Sequence, residues 1–331
     1  MWQNGSAASI ESLVIGFSYS FSAICILLVY VPCLVVLARD KELQNHTCMK
    51  MMRHLGYSDL INLFQHLFVG VLILFHPRQQ IPYWLNKLVI GTTSAYAWHT
   101  YIILCLAIAI NRCLTFTKPK WETYLFEENT KYWIGFAWLN GFCIHILQMT
   151  PKLSYIYYPA TYNLYIDFST EFALAYHRIG WWEGTLIMSS ALGCYCFLFA
   201  WLKLYTKPAV NTSAEARRKA RRESLVLRQA AIICLYCVFL NQFWSWLSVL
   251  PPIPYAYQLA NWLWIMNSGI NPIIYLTFNR YTLCHSAQLT TEGTFSTISQ
   301  KVRQLLAGAQ LNQVAAVKSK TENRNQPHSA V

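Results

Sequence analysis

Apolar residues in this chain come in long unbroken stretches rather than at one-face helical or strand spacing. Seven such blocks run over residues 13–37, 55–75, 88–110, 132–149, 181–204, 229–250 and 257–278. Each is near the roughly 20 residues that an α-helix needs to cross a bilayer core. The first, third and seventh blocks contain no Lys, Arg, Asp or Glu; the second holds only Asp59, and the fifth has Glu183 and Lys203 near its two ends. A soluble helical protein can bury one or two such runs, but not seven in series. The pattern predicts an all-α membrane protein, a seven-transmembrane helix bundle.

Orientation follows from the basic residues between the blocks. The segments before the first block and after the second, fourth and sixth hold 4 of the 26 Lys and Arg. The other four segments hold 22, with Lys203 counted in the segment after its block. Cytoplasmic connections carry the excess of Lys and Arg, so the N-terminus is expected outside and the C-terminus inside. Residues 1–12 then form an extracellular N-terminus, 13–290 a seven-span membrane body with a short juxtamembrane helix, and 291–331 a mobile cytoplasmic tail without hydrophobic periodicity. The formal charge of +12 is accounted for by the inner leaflet, so nucleic acid is not expected as a partner. Residues 1–12 lack Lys and Arg. They offer no basic signal-peptide region, and the first block is expected to stay as an anchor.

The 11 cysteines do not form a disulfide framework, because none falls in the outer segments, the oxidising ones. Cys234-Leu-Tyr-Cys237 lies inside an apolar block and is read as core packing rather than half a zinc site. No metal or cofactor is implied, and no paired carboxylates or nucleophile–base arrangement point to an enzyme. Residues 150–180 are rich in Tyr and long enough to fold over the outer mouth. Residues 207–223 are basic, and from Ala214 they are good helix formers, so the sixth helix should extend into the cytoplasm, bringing Arg221, Arg222 and Arg228 with it. Asn4 sits in a glycosylation sequon on the outer side, and Cys284 is a juxtamembrane candidate for palmitoylation.

Polar residues inside the blocks carry the functional signal, because burying them in a membrane is expensive. Asp59 lies within the second span. The seventh reads QLANWLWIMNSGINPIIYLTF and places Asn267, Ser268, Asn271 and Pro272 near its inner end. The amides need partners there, and Pro272 removes a helical hydrogen bond. Asn271 and Asn267 are expected to partner Asp59 in one polar cluster. Arg112 closes the third span in LAIAINRCLTF.

Together, the acid in span two, the Arg ending span three, Trp138 in span four and NSGINPIIY in span seven resemble rhodopsin-type G-protein-coupled receptors. Asp59 and Arg112 are 53 residues apart, and Arg112 and Trp138 are 26 apart, both close to that family's habit. KMMRHLGYSDLINLFQH and LNKLVIGTTSAYAWHTYI most resemble the nematode-type serpentine chemoreceptors, class T or a near relative. The resemblance implies a chemosensory receptor for a small-molecule cue, signalling to a heterotrimeric G protein from the plasma membrane or a sensory cilium. Asp59, Arg112, Asn267, Ser268, Asn271, Pro272 and Tyr275 would form its activation switch. Arg112, Arg221, Arg222 and Arg228 would meet the G protein.

The chain departs from that pattern in several places. Asn111 stands where the family has an acid before the Arg, and Cys113 where a Tyr follows it, which implies a weaker resting lock on Arg112. Tyr30-Val31-Pro32 replaces the Asn of span one. Tyr101 replaces a small Ser near the sodium pocket, so sodium regulation through Asp59 is not expected. The disulfide from helix three to the second outer loop cannot form.

A ligand is expected in the outer half of the bundle, where Ser94, Trp98, His99, Glu183, Gln242, Trp246, Asn261 and Trp264 are candidates to line a hollow. Ser94 occupies the position where amine receptors hold an Asp, arguing against a biogenic amine. Helix seven has no Lys, so retinal cannot form a Schiff base. The rival readings are a non-coupling heteromer or trafficking partner of other receptors, and a ligand-gated channel subunit; the latter places its N-terminus inside, against the basic-residue bias.

Overall fold

The computed structural model describes residues 10–39, 46–75, 82–117, 123–158, 162–205, 214–247 and 253–272. Seven long helices account for most of them: α1 (Ile10–Arg39), α2 (Thr47–Phe75), α3 (Thr92–Thr117), α4 (Thr130–Met149), α5 (Glu171–Tyr205), α6 (Ala214–Leu247) and α7 (256–272). Among the described residues, α1, α2, α3, α5 and α6 each contain a stretch long and apolar enough to cross a bilayer.

The distribution of side chains is that of a protein solvated by lipid. Large apolar residues such as Phe17, Leu186 and Phe239 face outward, while Asp59, Asn62, His66, Asn111, Asn267, Ser268 and Asn271 are buried between helices. In water this arrangement would be unstable; in a bilayer the apolar exterior meets acyl chains, and the polar groups must satisfy each other.

Helix α3 is the centre of the bundle, packed against α2, α4 and α5; α1 packs on α2, and α5 on α6. Helix α7 is tied to its neighbours by hydrogen bonds. Tyr19 of α1 donates to the Gln258 carbonyl (3.0 Å), and Tyr236 of α6 donates to the Leu263 carbonyl (2.7 Å). Helices α1 and α2 approach closely at Gly16 and Gly70. A β-carbon on Gly70 would lie 2.9 Å from the Ser20 amide nitrogen and 3.0 Å from the Gly16 carbonyl oxygen. Small residues at such a crossing let membrane helices touch backbone to backbone.

Two features extend the sequence expectation. The Tyr-rich connection contains an antiparallel hairpin, β1 (Tyr155–Tyr158) with β2 (Asn163–Ile166), Tyr155 opposite Ile166. Helix α5 then begins at Glu171, ten residues before its apolar block. At 35 residues it is about 50 Å long, well beyond a ~30 Å hydrocarbon core. Helix α6 runs unbroken from Ala214, so the basic stretch continues the sixth span as expected.

The hairpin is fastened to the start of α3 by polar groups. A short helical segment, Tyr83–Leu85, passes through one wide π-type turn, Asn86–Gly91, into α3. The Asn86 side chain acts like a third strand. Its Nδ2 donates to the Tyr157 carbonyl (2.9 Å), and its Oδ1 accepts the Tyr157 N–H (2.6 Å). The buried Lys87 ammonium donates to the Thr150 carbonyl (2.5 Å), Tyr83 Oη (3.2 Å) and Ser154 Oγ (3.3 Å). Contact with Ser154, and then Lys87, holds the Tyr83 phenol below its usual pKa.

Candidate functional site

Three features follow one another along the interior: a cavity at the hairpin end, a polar junction around Asp59, and a cavity at the Arg112 end. The junction comes from residues that each helix would bury at a cost alone. Asp59 is 2% exposed. Its Oδ2 accepts two hydrogen bonds, from Tyr30 Oη of α1 (2.5 Å) and from Asn271 Nδ2 of α7 (2.6 Å). Ser268 also bonds the carboxyl, and Asn62 Nδ2 donates to Ser268 Oγ (3.1 Å).

Asn271 is thus the partner that the sequence anticipated, whereas Asn267 is not. Asn267 Oδ1 instead accepts from Cys237 Sγ of α6 (3.2 Å), and Cys237 in turn meets Tyr101 Oη of α3 (3.7 Å). The carboxyl's second partner is Tyr30, which the sequence marked only as a departure from the family's Asn. A Tyr counted as apolar in a hydropathy run gives no sign that its hydroxyl reaches 29 residues along the chain to an acid. Pro272, buried beside Asn271, lacks the N–H that would bond back along α7. The space beside Asp59, edged by Asn62, Tyr101 and Trp264, is about 10 Å³, roughly enough for one water. The Tyr101 ring fills what a small residue would leave open. No cluster of metal-binding side chains occurs among the described residues.

At the hairpin end the cavity measures about 110 Å³. Helix α3 lines it with Ser94, Ala95, Trp98 and His99; α6 adds Asn241, Trp244 and Ser245; α7 adds Asn261 and Trp264. Trp98 and Trp264 pack with centroids 4.7 Å apart, and Trp244 lies 6.1 Å from Trp264. Three expected residues do not line it. Glu183 sits behind the wall, its Oε1 3.4 Å from His99 Nδ1. Gln242 bridges α5 and α6, donating to Thr185 Oγ1 (2.7 Å) and accepting from Trp181 Nε1 (3.0 Å). Trp246 is 56% exposed, on the outward face of α6.

The wall also contains residues that the sequence did not single out: His66 of α2, Gln148 of α4, Tyr176 and Trp181 of α5, and Ile166 of the hairpin. His66 carried a usable signal, since an imidazole within a span is expensive. Its Nδ1 donates to the Asn62 carbonyl (2.9 Å). Gln148 closes the fourth span, where a polar residue is unremarkable, so only the fold shows that it turns inward.

At the opposite end, half-buried Arg112 borders a cavity of about 60 Å³ with Leu55, Tyr195, Leu227, Cys234 and Asn271. Asn111 is buried beside it, and its carbonyl accepts from Thr115 Oγ1 (2.8 Å). Arg228 is exposed one residue past Leu227, and Arg221 and Arg222 lie further out on α6. Asn4, Tyr275 and Cys284 lie outside the described residues.

Comparison with known proteins agrees with this architecture. The structure resembles that of squid rhodopsin with a TM-score of 0.71, covering 87% of this chain and 88% of that one at 16% identity; at that identity the likeness is one of fold. A search of curated protein sequences finds no match. The family model described as serpentine type 7TM GPCR chemoreceptor Srt matches residues 3–290, which include all seven apolar blocks. The chain is a multi-pass membrane protein and belongs to the Srt family of serpentine seven-transmembrane G-protein-coupled chemoreceptors.

Proposed function

We propose that the protein is a plasma-membrane receptor, exposed on a sensory cilium, that detects a small-molecule cue and passes the signal to a heterotrimeric G protein. The hairpin end faces outward and the Arg112 end faces the cytoplasm, in line with the basic residues of the connections. One observation carries the reading: the three interior features share side chains. Trp264 borders both the hairpin-end cavity and the space beside Asp59, and Asn271 bonds Asp59 while bordering the Arg112 cavity.

The mechanism is a choice between two helix packings. A ligand among Trp98, Trp244 and Trp264 bears on the α7 segment that leads to Ser268 and Asn271. Pro272 weakens the helical ladder at that point, so the inner end of α7 bends there. Rearranged bonds at Asp59 and Cys237 carry the change to α1, α2 and α6. Helix α6 then moves outward with Arg221, Arg222 and Arg228, and Arg112 turns to the C-terminal helix of a Gα subunit.

The test is expression in intact cells with an epitope at each terminus, challenged with pooled small metabolites and volatiles. Surface staining of the N-terminal epitope alone, with a compound-driven Gα response that Arg112→Ala abolishes, supports the reading. Staining of the C-terminal epitope without permeabilisation overturns it.

A further inference from the structure

The hairpin-end cavity has a definite chemistry, and it narrows the cue proposed above. Three properties of its wall bear on what fits.

The first is size. At about 110 Å³ the hollow is somewhat smaller than the roughly 150 Å³ apolar cavity that admits benzene. One ring with a small substituent fills it. The Trp98, Trp244 and Trp264 rings offer faces against which a flat molecule stacks.

The second is charge. Among the described residues no Lys, Arg, Asp or Glu lines the cavity. The nearby carboxylate, Glu183, faces His99 at 3.4 Å. The remaining titratable groups are His66, His99, His177 and Tyr176. His66 donates Nδ1–H to a backbone carbonyl, an arrangement that fixes the tautomer of a neutral imidazole. A charged ligand would lose its hydration there, and the nearby Glu183 carboxylate already faces His99.

The third is an unmet acceptor. Gln148, 2% exposed, donates Nε2 to Tyr176 Oη (2.9 Å), and its Oε1 has no partner. A buried carbonyl oxygen left without a donor is costly. Among the described residues that line the cavity, it is a carbonyl oxygen that no donor of the protein satisfies.

We propose that the cavity binds an uncharged single-ring molecule bearing one hydrogen-bond donor, stacked against the tryptophans and donating to Gln148 Oε1. This rests on the receptor reading for its biological sense but not for its test, which contains no G protein.

The experiment is calorimetric titration of the full chain in lipid nanodiscs, with empty nanodiscs subtracted. The probes are p-cresol, its isomer anisole (which has an acceptor but no donor), benzylammonium and benzoate. p-Cresol is expected to bind about tenfold tighter than anisole, the worth of one buried hydrogen bond, and both charged probes more weakly still. Gln148→Leu should bring p-cresol and anisole to parity by weakening p-cresol. Tyr176→Phe should also narrow the ratio, by freeing the amide to turn its N–H toward anisole. Equal binding of the two isomers to the unaltered protein, tighter binding of either charged probe, no binding of any probe, or an unchanged ratio in both variants would each overturn the proposal.

Discussion

Tyr30 and Asp59, on neighbouring helices, are joined by a 2.5 Å hydrogen bond from the phenol to the same carboxylate oxygen that Asn271 holds from α7. Both residues are essentially sealed from solvent. The acid thus ties three helices together, and the phenol does what a shorter amide could do only if the helices stood closer.

Replacing Tyr30 with Phe keeps the ring but removes the donor. The carboxyl retains Asn271 and Ser268, so the expected loss is that of one hydrogen bond to an ionisable group, about 1.5–3 kcal/mol. Thermal unfolding in detergent should show a clearly lower midpoint for Tyr30→Phe. Tyr30→Asn should be no better, because its amide stops short of Asp59. An unchanged midpoint in Tyr30→Phe would mean that the bond contributes nothing net.

The hairpin is the element most open to local disruption. Asn86 satisfies both the N–H and the C=O of Tyr157, so Asn86→Ala leaves two buried backbone groups unpaired, at roughly 1–3 kcal/mol each. Hydrogen exchange should accelerate over residues 155–166 while α2 and α3 stay protected. Lys87→Met should act in the same direction through Thr150 and Ser154. Equal exchange in variant and parent would show that the hairpin is held by other contacts.

Glycine positions separate contact from mere composition. Gly70→Ala places a methyl group against the Ser20 amide and the Gly16 carbonyl. Since backbone must shift, the cost should be about 1–3 kcal/mol. Gly135, on α4, has nothing within 4 Å of an added β-carbon, so Gly135→Ala should be neutral or gain up to about 1 kcal/mol in helix propensity. Thermal stability of the pair, measured side by side, checks both.

The balance at Arg112 is tested by restoring an acid. Asn111→Asp puts a carboxylate next to the guanidinium, where a charge-assisted pair outweighs an amide contact. Basal nucleotide exchange should fall severalfold at matched surface level. No change would mean that Asn111 plays no part in holding the resting state.

The spans were legible because lipid imposes one rule on every helix: about twenty apolar residues, with basic residues beyond one end. What lay outside that rule was harder to read. The first turns of α5, EFALAYHRIG, emerge from the apolar block and look like loop, yet they are helical and supply Tyr176 and His177 to the cavity. The β-hairpin's YIYY alternates too weakly to signal a strand, and the clasp from Asn86 is a tertiary match of one amide to one peptide unit. Within the interior, Asp59 and Asn271 could be paired because both are conspicuous in an apolar run. Tyr30 and Trp181 are polar at one atom only, and hydropathy hides them, while Gln148 is hidden by its place at the end of a span. Trp246 erred the other way, for an aromatic ring is equally at home facing lipid.

The central claim is that the Arg112 end of this bundle activates a G protein. Its most direct test is GDP–GTP exchange on a panel of purified Gα subunits, with the full chain in lipid nanodiscs, beside Arg112→Ala and Asn111→Asp. The account predicts measurable basal exchange on at least one Gα class, abolished by Arg112→Ala and reduced by Asn111→Asp. Exchange that survives Arg112→Ala, or none on any class from correctly folded protein even with p-cresol present, would contradict it.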